Sequence, residues 1–284
     1  MTPTCCKLLL SFFLLFWWIE IPKVFGDVVP VSVTQQVSID GIVFACDGGC
    51  EMGYGIQDNG ATFSLAKSNT QLPSMNLSQA GSATDSLPID PFFIRSASVD
   101  ASASQTSALN PTNFNLDLSV SGDLSGSDSL MSGYVSANSQ YSLVFNLNTP
   151  SLVHLTGQIG GASSSFSDGP LFLDGLFDGE IHLSGPGTQF DQVLSFPLYT
   201  NSFDGQSFDQ SFTLDPGQYT IDAVSGLNGD GYYFLDSNSS FELSLNADFS
   251  PAVPEPARVS TFLGLLMLVG LFFARRRSAA GFRE

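Results

Sequence analysis

Phe241-Glu242-Leu243-Ser244-Leu245-Asn246-Ala247-Asp248-Phe249 alternates apolar and polar residues at every step. A period of two sends one set of side chains to a buried face and the other to water, the pattern of a half-buried strand. Phe114, Leu116, Leu118 and Val120 repeat it around Asn115, Asp117 and Ser119, and so do Tyr141, Leu143, Phe145 and Leu147. Shorter candidate strands cover residues 37–45, 61–66, 94–103, 153–159, 171–173, 181–183, 193–198, 208–214 and 219–224. Turn residues separate them: Asp58-Asn59-Gly60, Asp204-Gly205, Asp215-Pro216-Gly217 and Asn228-Gly229-Asp230-Gly231. Residues 212–221 read as strand, tight turn, strand. No apolar pattern of period 3.6 lasts beyond about two turns, so helices should be few.

About ten short strands with such turns predict an all-β body, an antiparallel β-sandwich of jelly-roll-like topology over residues 27–250. The Ser/Ala-rich stretch 96–108 reads either as a flat strand or as a linker. A strand is favoured, because Ile94, Val99 and Leu109 bracket it with apolar contacts. One domain is expected, the alternative being a division near Asn110-Pro111.

The charge is distributed unevenly. Of 27 acids, Glu20, Glu255 and Glu284 lie near the ends, leaving 24 in the body against Lys67 and Arg95, a net charge of -22. Only Glu51, Glu180 and Glu242 among them are glutamates. Such a surface repels itself, stays soluble and attracts cations. It excludes a nucleic-acid binder, which needs a basic face against phosphate. An aromatic content of 12 % is too high for a chain that never folds.

The two ends differ from the body. After Lys7, residues 8–19 form an apolar run of twelve, too short to cross a hydrocarbon core of about 30 Å as a helix but suited to a signal peptide. Val24 and Gly26 have the spacing that signal peptidase favours, so residues 1–26 are expected to be removed, with Trp17 and Trp18, the chain's only tryptophans. At the other end, Val253-Pro254-Glu255-Pro256 precedes Arg258, an apolar run over residues 259–274, and Arg275-Arg276-Arg277. A helix over that run rises about 24 Å. It reads as a short transmembrane anchor whose arginines stay on the cytoplasmic side.

Those three parts, in that order behind a signal peptide, resemble the PEP-CTERM sorting signal of bacteria with a Gram-negative envelope. Arg258 and the seven residues after the arginines depart from the usual pattern. The resemblance covers residues 253–277. It implies recognition through Val253, Pro254, Glu255 and Pro256 by an exosortase, a membrane protease-transpeptidase. It also implies orientation by Arg275, Arg276 and Arg277, transient anchoring, and release or attachment at the surface, often alongside exopolysaccharide production. Residues 251–284 would then be the sorting tail.

The body offers little chemistry. Cys46 and Cys50 flank Asp47-Gly48-Gly49. In an oxidising compartment they read as a disulfide, with free thiols as the alternative. So small a loop would contribute at most about 2 kcal/mol. His154 and His182 lie in strands and read as structural. A nucleophilic triad needs a histidine held by a carboxylate beside an exposed serine, and no Gly-x-Ser-x-Gly elbow occurs. The aspartates mostly neighbour Gly, Asn or Ser, where they favour turns more than a glycosidase pair. Calcium is the one cation to weigh, through Asn228, Asp230, Asp222 and Asp236, but no EF-hand spacing is present and turn chemistry is favoured. No cofactor is expected.

The expectation is a non-enzymatic cell-surface or extracellular-matrix protein, exported, held transiently by its tail helix with the C-terminus inside, and associated with exopolysaccharide or biofilm. Its partners would be signal peptidase, an exosortase-like protease, polysaccharide and the membrane. The alternative is a carbohydrate-binding lectin or adhesin assisted by calcium, with Tyr232-Tyr233-Phe234 as a conceivable sugar patch. A secreted polysaccharide hydrolase ranks third.

Overall fold

The computed structural model describes residues 28–45, 60–72, 76–127, 131–166, 172–197, 203–232 and 236–252. Twelve strands account for nearly all of them: β1 (Val28–Ala45), β2 (Ala61–Asn69), β3 (Asn76–Asp90), β4 (Phe93–Asn110), β5 (Asn113–Gly126) and β6 (Met131–Leu147) come first. β7 (Ser151–Phe166), β8 (Phe172–Gly185), β9 (Thr188–Pro197), β10 (Phe203–Leu214), β11 (Gly217–Tyr232) and β12 (Asp236–Pro251) follow. They form two six-stranded antiparallel sheets, ordered β2-β1-β6-β11-β8-β9 and β10-β7-β12-β5-β4-β3. The body is a β-sandwich, as the alternation predicts. The expected signal and tail helices lie outside the described residues.

The pairing is nested. β8 and β9 form a hairpin in the first sheet; β7 then pairs β10 in the second, β6 pairs β11 in the first, and β5 pairs β12 in the second. Residues 113–251 thus behave as one long hairpin whose rungs alternate between sheets. β1 and β2 extend the first sheet beside β6, and β3 and β4 extend the second beside β5.

Period-two burial fills the gap between the sheets. In β12, Phe241, Leu243, Leu245, Ala247 and Phe249 face inward, while in β5 Phe114, Leu116, Leu118, Val120 and Leu124 do so. Rings bridge the two layers: Phe177 stacks on Phe241 at 5.4 Å, Phe114 on Tyr141 at 5.5 Å, and Phe145 meets Phe249 edge-on at 5.5 Å. Such pairs add to the stabilisation from area buried alone. Each open side of the sandwich is sealed by an edge-strand aromatic. Phe190 of β9 meets Phe208 and Phe212 of β10 at 5.6 and 5.7 Å. On the far side Phe63 of β2 lies over Gly41 and Gly81; a Cβ at Gly41 would fall 2.4 Å from its ring and one at Gly81 2.8 Å, so a larger residue at either would have to displace the ring.

The sequence-based expectations fail in instructive places. The strands are longer than expected, with 14 to 18 residues in most of them. Residues 172–173 and 181–183 belong to the single strand β8, and Leu171 lies outside the described residues. Asn228-Gly229-Asp230-Gly231 is no turn: it continues β11, with Asn228 paired to Ser136 and Asp230 to Tyr134. Two neighbouring strands supply its hydrogen bonds, and that outweighs local turn preference. Around Asp215-Pro216-Gly217 the strand-turn-strand reading holds, but β10 and β11 belong to opposite sheets. The turn is a corner, held by the Tyr219 hydroxyl donating to the Asp215 carbonyl at 2.9 Å. Stretch 96–108 is a strand within β4, with Ala97, Val99, Ala101 and Ala103 buried. Asn110 and Asn113 pair across the Pro111 turn, so the chain continues there as a hairpin.

Among the described residues two buried hydroxyls, those of Thr149 and Ser225, lack a hydrogen-bond partner. Ser225 is wholly buried in the middle of β11. A buried hydroxyl forgoing its hydrogen bond costs roughly 1–3 kcal/mol. Ser225→Ala should therefore raise the stability by about 1 kcal/mol, read as a higher urea midpoint with an unchanged slope.

Candidate functional site

The residues to which the sequence assigns sorting, Val253, Pro254, Glu255, Pro256 and Arg275, Arg276, Arg277, lie outside the described residues, as do Cys46 and Cys50. What the structure places is the point where the body meets its two ends. Val28 pairs with Leu147 in one sheet, and Pro251 with Ser151 in the other. Only the short connection between β6 and β7 separates those partners. Val28 N–H donates to the Pro111 carbonyl at 3.1 Å, Phe249 N–H to Thr112 at 2.8 Å and Ala252 N–H to Pro150 at 3.1 Å. The described chain therefore begins and ends at the same end of the sandwich, stitched to the same turns.

The buried polar groups form an internal seam. Gln35 donates to Ser107 Oγ at 3.2 Å and accepts from Asn69 at 3.0 Å. Gln105, with its amide turned to satisfy both contacts, donates to the Gln140 carbonyl and accepts from Gln36 N–H, each at 3.2 Å. Tyr141 hydrogen-bonds Ser107, but burial dominates and pushes its phenol up to about 12. Asp85 crosses between the sheets to accept Ala45 N–H at 2.8 Å. These contacts fix the register of the β1–β2 and β3–β4 extension.

The outer face of the second sheet is a field of short polar side chains. Ser98 and Ser125 share a hydrogen bond of 2.6 Å, Ser102 and Ser121 one of 2.7 Å. Among them runs a shallow groove of about 390 Å³, lined in part by Ser82, Asp100, Ser102, Ser121, Asp123 and Asn238. Asp100 and Asp123 stand opposite each other across β4 and β5. Asn238 donates to Asp123 Oδ2 at 3.3 Å. The period-two pattern puts these residues outside, but only the register brings the two carboxylates together.

Both histidines lie on outer faces rather than in the core. His154 Nε2 is 2.7 Å from Asp209 Oδ1. His182 uses both ring nitrogens, Nδ1 to Asp191 at 2.7 Å and Nε2 to Glu180 at 3.3 Å. Its pKa is raised, chiefly by the Asp191 bond and less by Glu180, against a lowering from desolvation. Asp191 is correspondingly lowered, first by His182 and then by Gln189. Linkage fixes the signs. The His182 contribution is fully present below 6.5 and is lost as pH rises through its raised value. The Asp191 contribution is present above 3.8 and is lost as pH falls through its lowered value. The contact is thus strongest in mildly acidic solution.

The calcium candidates are not gathered. Asp222 and Asp230 are eight residues apart on the extended β11, roughly 26 Å at a strand's rise per residue, and Asp236 opens β12 in the other sheet. Among the described residues, no three of His, Cys, Asp and Glu are placed to hold a metal ion. Tyr232 closes β11, and the other two residues of the proposed aromatic patch lie outside the described residues.

Like charges directly opposed in a sheet are destabilising by up to about 1 kcal/mol. Asp100→Asn should raise the unfolding midpoint at neutral pH and low salt, and the gain should fade as salt is added.

No protein-family model matches the chain, and no curated protein does. Among solved structures it is similar to that of the infectious bursal disease virus Gx strain, at 10% identity over 92% of this chain and 75% of that one, with a TM-score of 0.19. A VP2 subviral particle of the same virus gives 11% identity over 91% and 75%, with a TM-score of 0.17. TM-scores this low carry no argument about fold or function.

Proposed function

We propose that this is an exported, non-catalytic surface or matrix protein, delivered by its C-terminal tail to an exosortase-like membrane protease. The observation that carries the reading is the order of Val253-Pro254-Glu255-Pro256, the apolar run 259–274 and Arg275-Arg276-Arg277 behind an N-terminal signal segment. The body suits that role. Its two ends emerge together, so a tail anchored in the cytoplasmic membrane would hold the sandwich by one end and leave the other end free.

We also read strands β5–β12 as a jelly roll. The support is the nested pairing of β5 with β12, β6 with β11, β7 with β10 and β8 with β9, alternating between sheets. At His182 the geometry speaks against a nucleophilic triad: both ring nitrogens meet carboxylates, and neither is left to activate a serine.

A second reading, a carbohydrate-binding lectin or adhesin, is favoured by the groove at Asp100, Asp123 and Asn238, whose hydrogen-bonding rim suits a hydroxyl-rich ligand. Glycan-array binding lost in Asp123→Ala would favour it over a passive matrix role.

Intact mass of the protein from the host envelope and medium tests the sorting proposal. A chain beginning near Asp27, ending between Pro254 and Ala257 and lacking both tryptophans is expected. An exported chain still carrying Arg275–Arg277 would contradict it.

A further inference from the structure

The chain has two histidines, and the fold gives them equivalent places. His182 lies on β8, next to the edge strand β9; His154 lies on β7, next to the edge strand β10. Each bonds an aspartate of its edge strand at 2.7 Å: Asp191 on β9, Asp209 on β10. Each also stands opposite a second aspartate on the inner neighbouring strand, Asp222 on β11 and Asp248 on β12. One Asp-His-Asp row, Asp191-His182-Asp222, therefore runs straight across three strands of the first sheet; its counterpart on the other outer face, Asp209-His154-Asp248, is diagonal, since Ser211 is the β10 residue directly opposite His154. Glu180, on His182's own strand, adds a third carboxylate to the first row.

These rows occupy the side of the molecule that most needs them. β9 and β10 each pair with a single neighbour, and edge strands open more readily than central ones. The described cations other than histidine are Lys67 on β2 and Arg95 on β4. In their sheets those strands lie at or beside the opposite edge. At the β9–β10 side, among the described residues, only the two imidazoles can carry positive charge between the facing carboxylates.

We propose that His182, set between Asp191, Glu180 and Asp222, is a proton-dependent clamp that holds the edge strand β9 onto its sheet. A protonated imidazole gives that row a cation between carboxylates. When the imidazole is neutral, the same carboxylates face one another with only a polar contact between them. The clamp holds in mildly acidic surroundings and slackens as the medium becomes alkaline, loosening β9. This device rests on the body alone and stands independently of how the tail is processed.

Hydrogen–deuterium exchange of the full chain in detergent tests it, with rates corrected for the intrinsic effect of pH. Between pH 5.5 and 8.5 the protection of β9 should fall by about two- to fivefold, the scale of partly exposed ion pairs, while β5 and β12 change little. His182→Gln should flatten the profile of β9. Should that variant fail to fold, imidazole proton resonances of the unmodified chain serve instead. The midpoint for loss of β9 protection should then coincide with the titration of His182. Protection of β9 that is the same at both pH values, or that falls equally in β5 and β12, would overturn the proposal.

Discussion

Every strand of this body presents an apolar face that water would penalise, and only the opposing sheet can cover it. That constraint organises the molecule. Phe241, Leu243, Leu245 and Ala247 on β12 are buried because Phe177, on the opposite sheet, and its neighbours lie across from them. The nested pairing achieves this by folding one long hairpin over on itself, so that β5 and β12, far apart in sequence, become adjacent. What remains open at the sides is closed by aromatics of the edge strands, Phe190 with Phe208 and Phe212 on one side, Phe63 over Gly41 and Gly81 on the other.

The same alternation that builds the core leaves the outer faces to Ser, Thr, Asn, Gln and Asp. The polar faces and the lone pair of basic residues in the body are thus two aspects of one design: apolar residues inward, short polar and acidic residues outward. Repulsion among those acids is tempered where hydrogen-bond donors stand between them, as Asn238 beside Asp123 and the histidines beside Asp191 and Asp209. The two ends of the described body share one end of the sandwich.

Strands with large inward residues were readable in the sequence: β5, β6 and β12 each carry four or more at strict spacing. β3 was not, because four consecutive inward positions, Gln79, Gly81, Ala83 and Asp85, separate Leu77 from Leu87 and Ile89. Its place is made by Phe63 from another strand, which leaves no periodic signal in β3 itself. Turn residues misled at Asn228-Gly229-Asp230-Gly231, where pairing on both sides overrides local preference. At Asp215-Pro216-Gly217 the turn was legible but its partner sheet was not, since a corner and a hairpin share the same residues. The histidine rows and the apposed Asp100 and Asp123 are products of register, which no single strand encodes. The sorting motif is the reverse case, legible in sequence and lying outside the described structure.

The pairing of β5 with β12 closes the nested hairpin, and its register can be read chemically. Ser121 and Ser240 stand directly opposite on the outer face, close enough for a disulfide once both are cysteine. The doubly substituted chain, Ser121→Cys with Ser240→Cys, should form that bond on mild oxidation while folded, seen as a single cross-linked peptide after digestion. A folded chain in which those two cysteines stay unjoined, or join only after denaturation, would contradict the architecture described above.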